Sequence, residues 1–272
     1  MQNQNKNIWQ DKVVLVTGGS SGLGYMIANG FATKGAMVVI AALEEGTAEK
    51  AATEIQQLGY KAFGIQANVT RQEDVDKLFS TIESKFGGLD VLVNNAGRSV
   101  RGKISETTPD HFKELMELNF FAVVRCTLAA LPLLLKSKGS IINIGSLASK
   151  ASARWVAGYP ATKFAVAAYS QQLRLELGEE GLHVLLVCPG PIKRDTPRLY
   201  EHKGVEGLPE SARKPGAGVK TKGIPPEKLV EAIISATEKR KYELIMPRKA
   251  KILFVLAQIC PKLGDWIVLK MT

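Results

Sequence analysis

The chain has 272 residues, 45% of them hydrophobic and 23% charged, a mixture that excludes a disordered tail, a collagen-like repeat and a disulfide-dense scaffold. Its 36 Lys and Arg against 26 Asp and Glu leave a net charge of +10. Residues 1–192 hold 19 basic and 17 acidic side chains, whereas 193–272 hold 17 and 9, so the basic excess belongs to the last third.

Apolar runs of strand length alternate with longer segments of helical period along the chain. Residues 12–17 (KVVLVT) read as a buried strand, followed by a glycine-rich turn and a helix to about residue 34. Strands at 36–41, 61–66 and 89–93 alternate with helices at 46–58, 72–86 and 109–136. A strand at 140–144, a helix at 160–179 and a strand at 183–188 continue the pattern. Continuous apolar strands between helices predict a parallel sheet covered on both faces, a doubly wound α/β domain. After Pro189 the pattern weakens: 193–224 is polar, basic and rich in Gly and Pro, as a functional or mobile loop would be. A helix at 226–239 and a strand at 242–246 follow, giving one domain over 1–248. The tail, 249–272, is apolar with interspersed lysines, and Pro261 predicts a break in its helix.

The polar start predicts no signal peptide, and no uncharged apolar run reaches the ~18 residues of a spanning helix. Cys126, Cys188 and Cys260 are an odd, scattered set that suits a reducing, cytoplasmic setting. His111, His183 and His202 share no ligand spacing, so no catalytic metal is expected. Basic and aromatic residues do not interleave as in a nucleic-acid module, and no nucleic acid is expected.

The turn Thr17-Gly18-Gly19-Ser20-Ser21-Gly22-Leu23-Gly24 lies between a buried strand and a helix. Glycines there allow a tight turn and close backbone approach to a pyrophosphate, which the helix N-terminus attracts. Tyr159 and Lys163, four apart at a helix start, share one face, and a nearby ammonium favours a phenolate suited to acid–base work. Ser146 follows the 140–144 strand, where the carboxyl edge of a parallel sheet faces a ligand crevice.

The glycine turn, Asn94-Asn95-Ala96-Gly97, then Asn119, Ser146, Tyr159 and Lys163 in order, and Pro189-Gly190-Pro191-Ile192 together resemble the short-chain dehydrogenase/reductase family. The resemblance is dense over about 10–192 and loose to about 246. It implies a Rossmann-like fold with a seven-stranded parallel sheet, hydride exchange with a nicotinamide cofactor, and a homodimer or homotetramer joined through the helices at 109–136 and 160–179. By the same resemblance Tyr159 would exchange a proton with the substrate oxygen, Ser146 would orient that oxygen, and Lys163 would bind the nicotinamide ribose. Asn119 would hold a relay water. Cofactor contacts would come from Gly18, Ser20, Ser21, Gly22, Leu23, Gly24, Asn68, Val69, Asn95, Ala96, Gly97, Pro189, Gly190, Ile192 and Thr196. An amide at Asn68 both donates and accepts, so it suits the adenine.

Ala42 stands where NAD-preferring members of that family carry an acidic residue, and Leu43 where NADP-preferring members often carry a basic one. Loss of the acid removes repulsion toward a 2′-phosphate and leaves serines to donate to it, so NADP is expected over NAD. Glu44 or Glu45 swinging in would reverse that order. The expected substrate is a small-molecule ketone or secondary alcohol, with the apolar tail favouring a hydrophobic one. A 3-oxoacyl-thioester reductase taking an acidic carrier on its basic loop is the enzyme alternative. A catalytically silent cofactor-binding or membrane-surface protein is the alternative of another class. The tail is expected to pack on protein, with peripheral contact to an anionic membrane as its other use.

Overall fold

The computed structural model describes residues 7–193, 207–218 and 223–271. Seven strands, β1 (Val13–Thr17), β2 (Met37–Ala42), β3 (Ala62–Gln66), β4 (Val91–Asn94), β5 (Ser140–Ile144), β6 (His183–Pro189) and β7 (Glu243–Met246), form one sheet in the order β3-β2-β1-β4-β5-β6-β7. Every neighbouring pair is parallel. Successive side chains on a strand point to opposite faces, and here both faces are dry. Val14 and Val16 pack with Ile27, Phe31 and Ile233 on one side. Leu15 packs with Leu78, Ile82 and Leu134 on the other. Complete burial of side chains such as these contributes roughly 1.5–3 kcal/mol each, which is why the strands read as unbroken apolar runs.

One face is covered by α1 (Gly22–Ala32), α2 (Thr47–Gln57) and α7 (Pro226–Glu238), the other by α3 (Gln72–Phe86), α5 (Ala122–Ser137) and α6 (Tyr159–Leu177). The limits of α3 are encoded locally. Glu73 and Asp74 meet the positive end of the helix dipole, Lys85 the negative end, and Gly87 stops the helix with a left-handed φ of 74°. The predicted helix over 109–136 is present but divided. α4 (Pro109–Met116) passes into a π turn, Glu117–Phe121, before α5 begins. Its apolar period runs through the division, so periodicity alone showed one helix. That helical run is long and apolar enough to cross a membrane, yet much of it is buried against the sheet.

Chain order reverses between β1 and β4, so their following segments leave in opposite directions and open a crevice at the carboxyl edge. Beyond β7, α8 (Ala250–Ile259) and α9 (Pro261–Met271) form a hairpin, broken at Cys260 as Pro261 predicts. Gly264 allows the close approach, since a β-carbon there would stand 2.5 Å from the Ala257 β-carbon.

Candidate active site

The crevice floor is built by the turn after β1. Gly18 has φ +60° and lies against the β4 end, where an added β-carbon would come 3.1 Å from Ala96 Cα. Gly24 is buried and pressed on the Gly18 carbonyl, which a side chain would strike. Asn95 fixes this contact: its Nδ2 donates to the carbonyls of Thr17 (3.0 Å) and Gly18 (2.9 Å). Its backbone N–H and that of Ala96 donate to Thr17 Oγ1. Gly22 has φ +54° and faces open space, and the Ser21 side chain makes no capping hydrogen bond to α1. The first N–H groups of α1 therefore point outward without a side-chain cap, at the positive end of the helix dipole. This donor set fits a pyrophosphate.

Tyr159 opens α6, and Lys163 follows one turn later with Nζ 5.8 Å from the Tyr159 ring centre. Lys163 is buried and its Nζ donates to the Ile144 carbonyl at 2.8 Å. Burial pushes its ammonium down to about 8, with the neighbouring Cys188 opposing the shift. Ser146 leaves β5 as the cap of a short 3₁₀ turn. Its Oγ accepts from the Ala148 N–H, and its own N–H donates to Ser149 Oγ. Asn119 is fully buried inside the π turn. Its Oδ1 accepts from the Arg98 N–H at 2.8 Å, while Nδ2 donates to the Arg98 carbonyl (2.9 Å) and Thr162 Oγ1 (3.1 Å). Thr162 in turn donates to the Tyr159 carbonyl, so Asn119 is joined to the first turn of α6.

The approach to Tyr159 is held in an unusual backbone shape. Trp155 and Ala157 have φ of 63° and 47°, left-handed values that L-residues adopt at a penalty of roughly 1–2 kcal/mol each. Gly102 clamps them, donating its N–H to the Trp155 carbonyl and accepting from the Ala157 N–H.

Ser146, Tyr159 and Lys163 line one cavity of about 880 Å³, together with Leu23, Asn95, Gly97, Pro189, Gly190 and Ile192. Asn119 lies behind the wall; Gly97 separates it from Lys163, and a β-carbon on Gly97 would stand 3.0 Å from Asn119 Oδ1 and 3.8 Å from Lys163 Nζ. Much of the remaining lining is apolar: Leu147, Leu253, Phe254, Ile267 and Val268. Four of these five come from the α8–α9 hairpin or border it, so the tail roofs the cavity. Arg98 and Arg101 also line it, without a signal in the sequence. Arg101 is buried and ties the 207–218 segment down, donating to the Ala212 and Lys214 carbonyls. Trp155 lines a second cleft of about 650 Å³ that shares Ser152, Ala153, Val156 and Val268 with the first.

Among the remaining expected contacts, Ala42 is buried at the end of β2, Leu43 is exposed, and Glu44 and Glu45 point to solvent. Asn68 differs from the expectation that it both donates to and accepts from an adenine. Its Oδ1 is taken by the Thr70 N–H and hydroxyl, because the residues after β3 turn tightly. Val69 is buried beside it. Ile192 forms a parallel bridge with Ile224. Thr196 and His202 lie outside the described residues. Among the described residues no three His, Cys, Asp or Glu side chains are grouped to hold a metal.

The family model described as short chain dehydrogenase matches residues 12–203. An uncharacterized oxidoreductase of Bacillus subtilis (strain 168) is 32% identical over 266 residues, spanning 96% of this chain and 72% of that one. L-fucose dehydrogenase of Oryctolagus cuniculus is 37% identical over 207 residues, 76% of this chain and 71% of the relative. A solved short-chain dehydrogenase from Streptomyces avermitilis superposes with a TM-score of 0.78 at 30% identity, covering 96% of this chain and 98% of that one.

Proposed function

This chain belongs to the short-chain dehydrogenase/reductase family and is an NAD(P)-dependent oxidoreductase, and on that premise we propose that it reduces a bulky apolar ketone with NADPH. The observation that carries this reading is the shared cavity, in which Ser146, Tyr159 and Lys163 face walls of Leu147, Leu253, Phe254 and Val268. A large apolar body would bury against those walls, leaving its carbonyl as the polar atom that must find the hydroxyl groups.

A nicotinamide held there would supply the hydride. As the carbonyl oxygen gains charge, Tyr159 gives it the phenolic proton and Ser146 donates a hydrogen bond, so neither the substrate nor the protein carries an unpaired oxyanion. The Lys163 ammonium beside the ring stabilises the phenolate left behind, and its bond to the Ile144 carbonyl keeps it on that side. Asn119 has spent its side-chain groups on Arg98 and Thr162. We assign it a positioning role, with the space over Gly97 as the place for a water that returns a proton through Lys163.

The cofactor would lie on the turn from Gly18 to Gly24, against Asn95 to Gly97 and under Pro189 to Ile192. The preference for NADPH is supported by the absence of a carboxylate at Ala42 and by the Ser21 hydroxyl, which makes no capping bond to α1. All three cysteines are free thiols, in keeping with a reducing compartment. Exposed Phe121, Leu128, Phe164 and Leu175 on the helical run Pro109–Ser137 and α6 support assembly of copies through those helices.

Paired fluorescence titrations with NADPH and NADH test the cofactor: tighter NADPH is expected, and tighter NADH would assign the ribose diol to another group such as Glu44. Tyr159→Phe is expected to abolish ketone reduction while NADPH binding stays near the parent value. Near-native turnover in that variant would overturn the acid–base assignment.

A further inference from the structure

The α8–α9 hairpin has two apolar faces. Leu253, Phe254, Ile267 and Val268 turn inward to the cavity. On α8, Ile252, Val255, Leu256 and Ile259 recur at i, i+3, i+4 and i+7 and are all exposed, Ile259 at 76%. Leu263, Trp266 and Leu269 continue this outer surface along α9, with Trp266 at 55%. A soluble helix normally turns such a stripe toward its own core. Here the core side is already apolar, and the second stripe has no cover among the described residues.

Cations flank the stripe along the sequence. Arg248, Lys249, Lys251, Lys262 and Lys270 are exposed, against Asp265 alone, and Lys270 Nζ lies 4.8 Å over the Trp266 ring. Lysine stems reaching past an apolar stripe, with a tryptophan among them, match the boundary between acyl chains and anionic headgroups. A second copy seated on this face would instead bring two surfaces of the same strong positive charge together.

From this charge and its geometry we infer that the outer face of the hairpin docks on an anionic lipid surface. Ile252 and Leu256 belong both to the cavity lining and to the exposed stripe, so docking sets the cavity mouth against lipid. Apolar ketones would then enter without crossing water; that consequence rests on the proposed substrate class, whereas docking itself does not.

The test uses the intact chain and needs no turnover. Cys260, at the hairpin corner, is exposed while Cys126 and Cys188 are buried, so a maleimide dye sensitive to polarity reports on the corner. The dye is expected to shift to the blue with phosphatidylcholine vesicles containing phosphatidylglycerol. Co-sedimentation is expected to fall by roughly tenfold or more when phosphatidylglycerol is omitted or salt is raised. Val255→Glu with Ile259→Glu, neither of which lines the cavity, is expected to abolish sedimentation while NADPH binding is retained. The inference is overturned if the intact chain stays in the supernatant with an unshifted dye, or if the double variant sediments like the parent. It is equally overturned if that variant only splits an oligomer seen by light scattering, which would make a second copy the occupant.

Discussion

Lys163 shows how one side chain sets both chemistry and stability. Its ammonium is buried with the Ile144 carbonyl as acceptor, and burial lowers its pKa from 10.5 to about 8. Between those values the unfolded chain binds a proton that the folded chain does not, so stability rises with pH through that window and the penalty stands in full below it. The shift corresponds to roughly 3 kcal/mol. Lys163→Met should therefore gain stability over the parent at about pH 7, less the loss of one hydrogen bond, and lose that advantage at about pH 10. Urea midpoints of both proteins at the two pH values check this; an advantage that does not change with pH would contradict a buried cation. Gly97→Ala tests the neighbouring gap. The added methyl would occupy the space between Asn119 and Lys163, so turnover at saturating cofactor should fall by roughly tenfold. Unchanged turnover would remove the relay from that position.

At the scale of elements, legibility followed how local the cause was. α3 begins at Gln72 and ends at Phe86, and β5 runs from Ser140 to Ile144, as their period and flanking residues predict, because caps, dipole charges and dry strand faces are written in adjacent residues. The π turn at Glu117–Phe121 was not legible, since it inserts one residue without interrupting the apolar character of the segment. Tyr159 and Lys163 were placed on one face by spacing alone. That Ser146 joins them was implied only by resemblance, because β5 and α6 meet through the sheet and not through sequence. The clamp of Gly102 on Trp155 and Ala157, and the tie from Arg101 to the 207–218 segment, depend on pairs far apart in the chain. No local signal announces either. The tail was legible as two helices broken at Pro261, but its inward and outward faces emerge only once the cavity is in view.

For the whole molecule, the sheet gathers its apolar weight in the middle and leaves polar chemistry at one edge. Phe121, Leu128, Phe164 and Leu175 are exposed on the π turn, α5 and α6, with Phe121 two residues from Asn119 and Phe164 next to Lys163, so the proposed assembly face backs onto the elements that carry the catalytic side chains. Phe164→Glu should lower the assembly state in sedimentation velocity while NADPH binding by each subunit persists. An unchanged sedimentation coefficient would exclude α6 as the contact. The left-handed Trp155 and Ala157 have a different consequence. Glycine at Ala157 would relax the backbone and loosen the start of α6, whereas at Trp155 it would also forfeit the ring's packing on Leu208 and Ala212, so a laboratory evolution campaign that rewards heat resistance alone would favour glycine at Ala157. Survivors would be hardier proteins with a misplaced Tyr159. Breeding a robust catalyst from this scaffold requires selecting for turnover in every round.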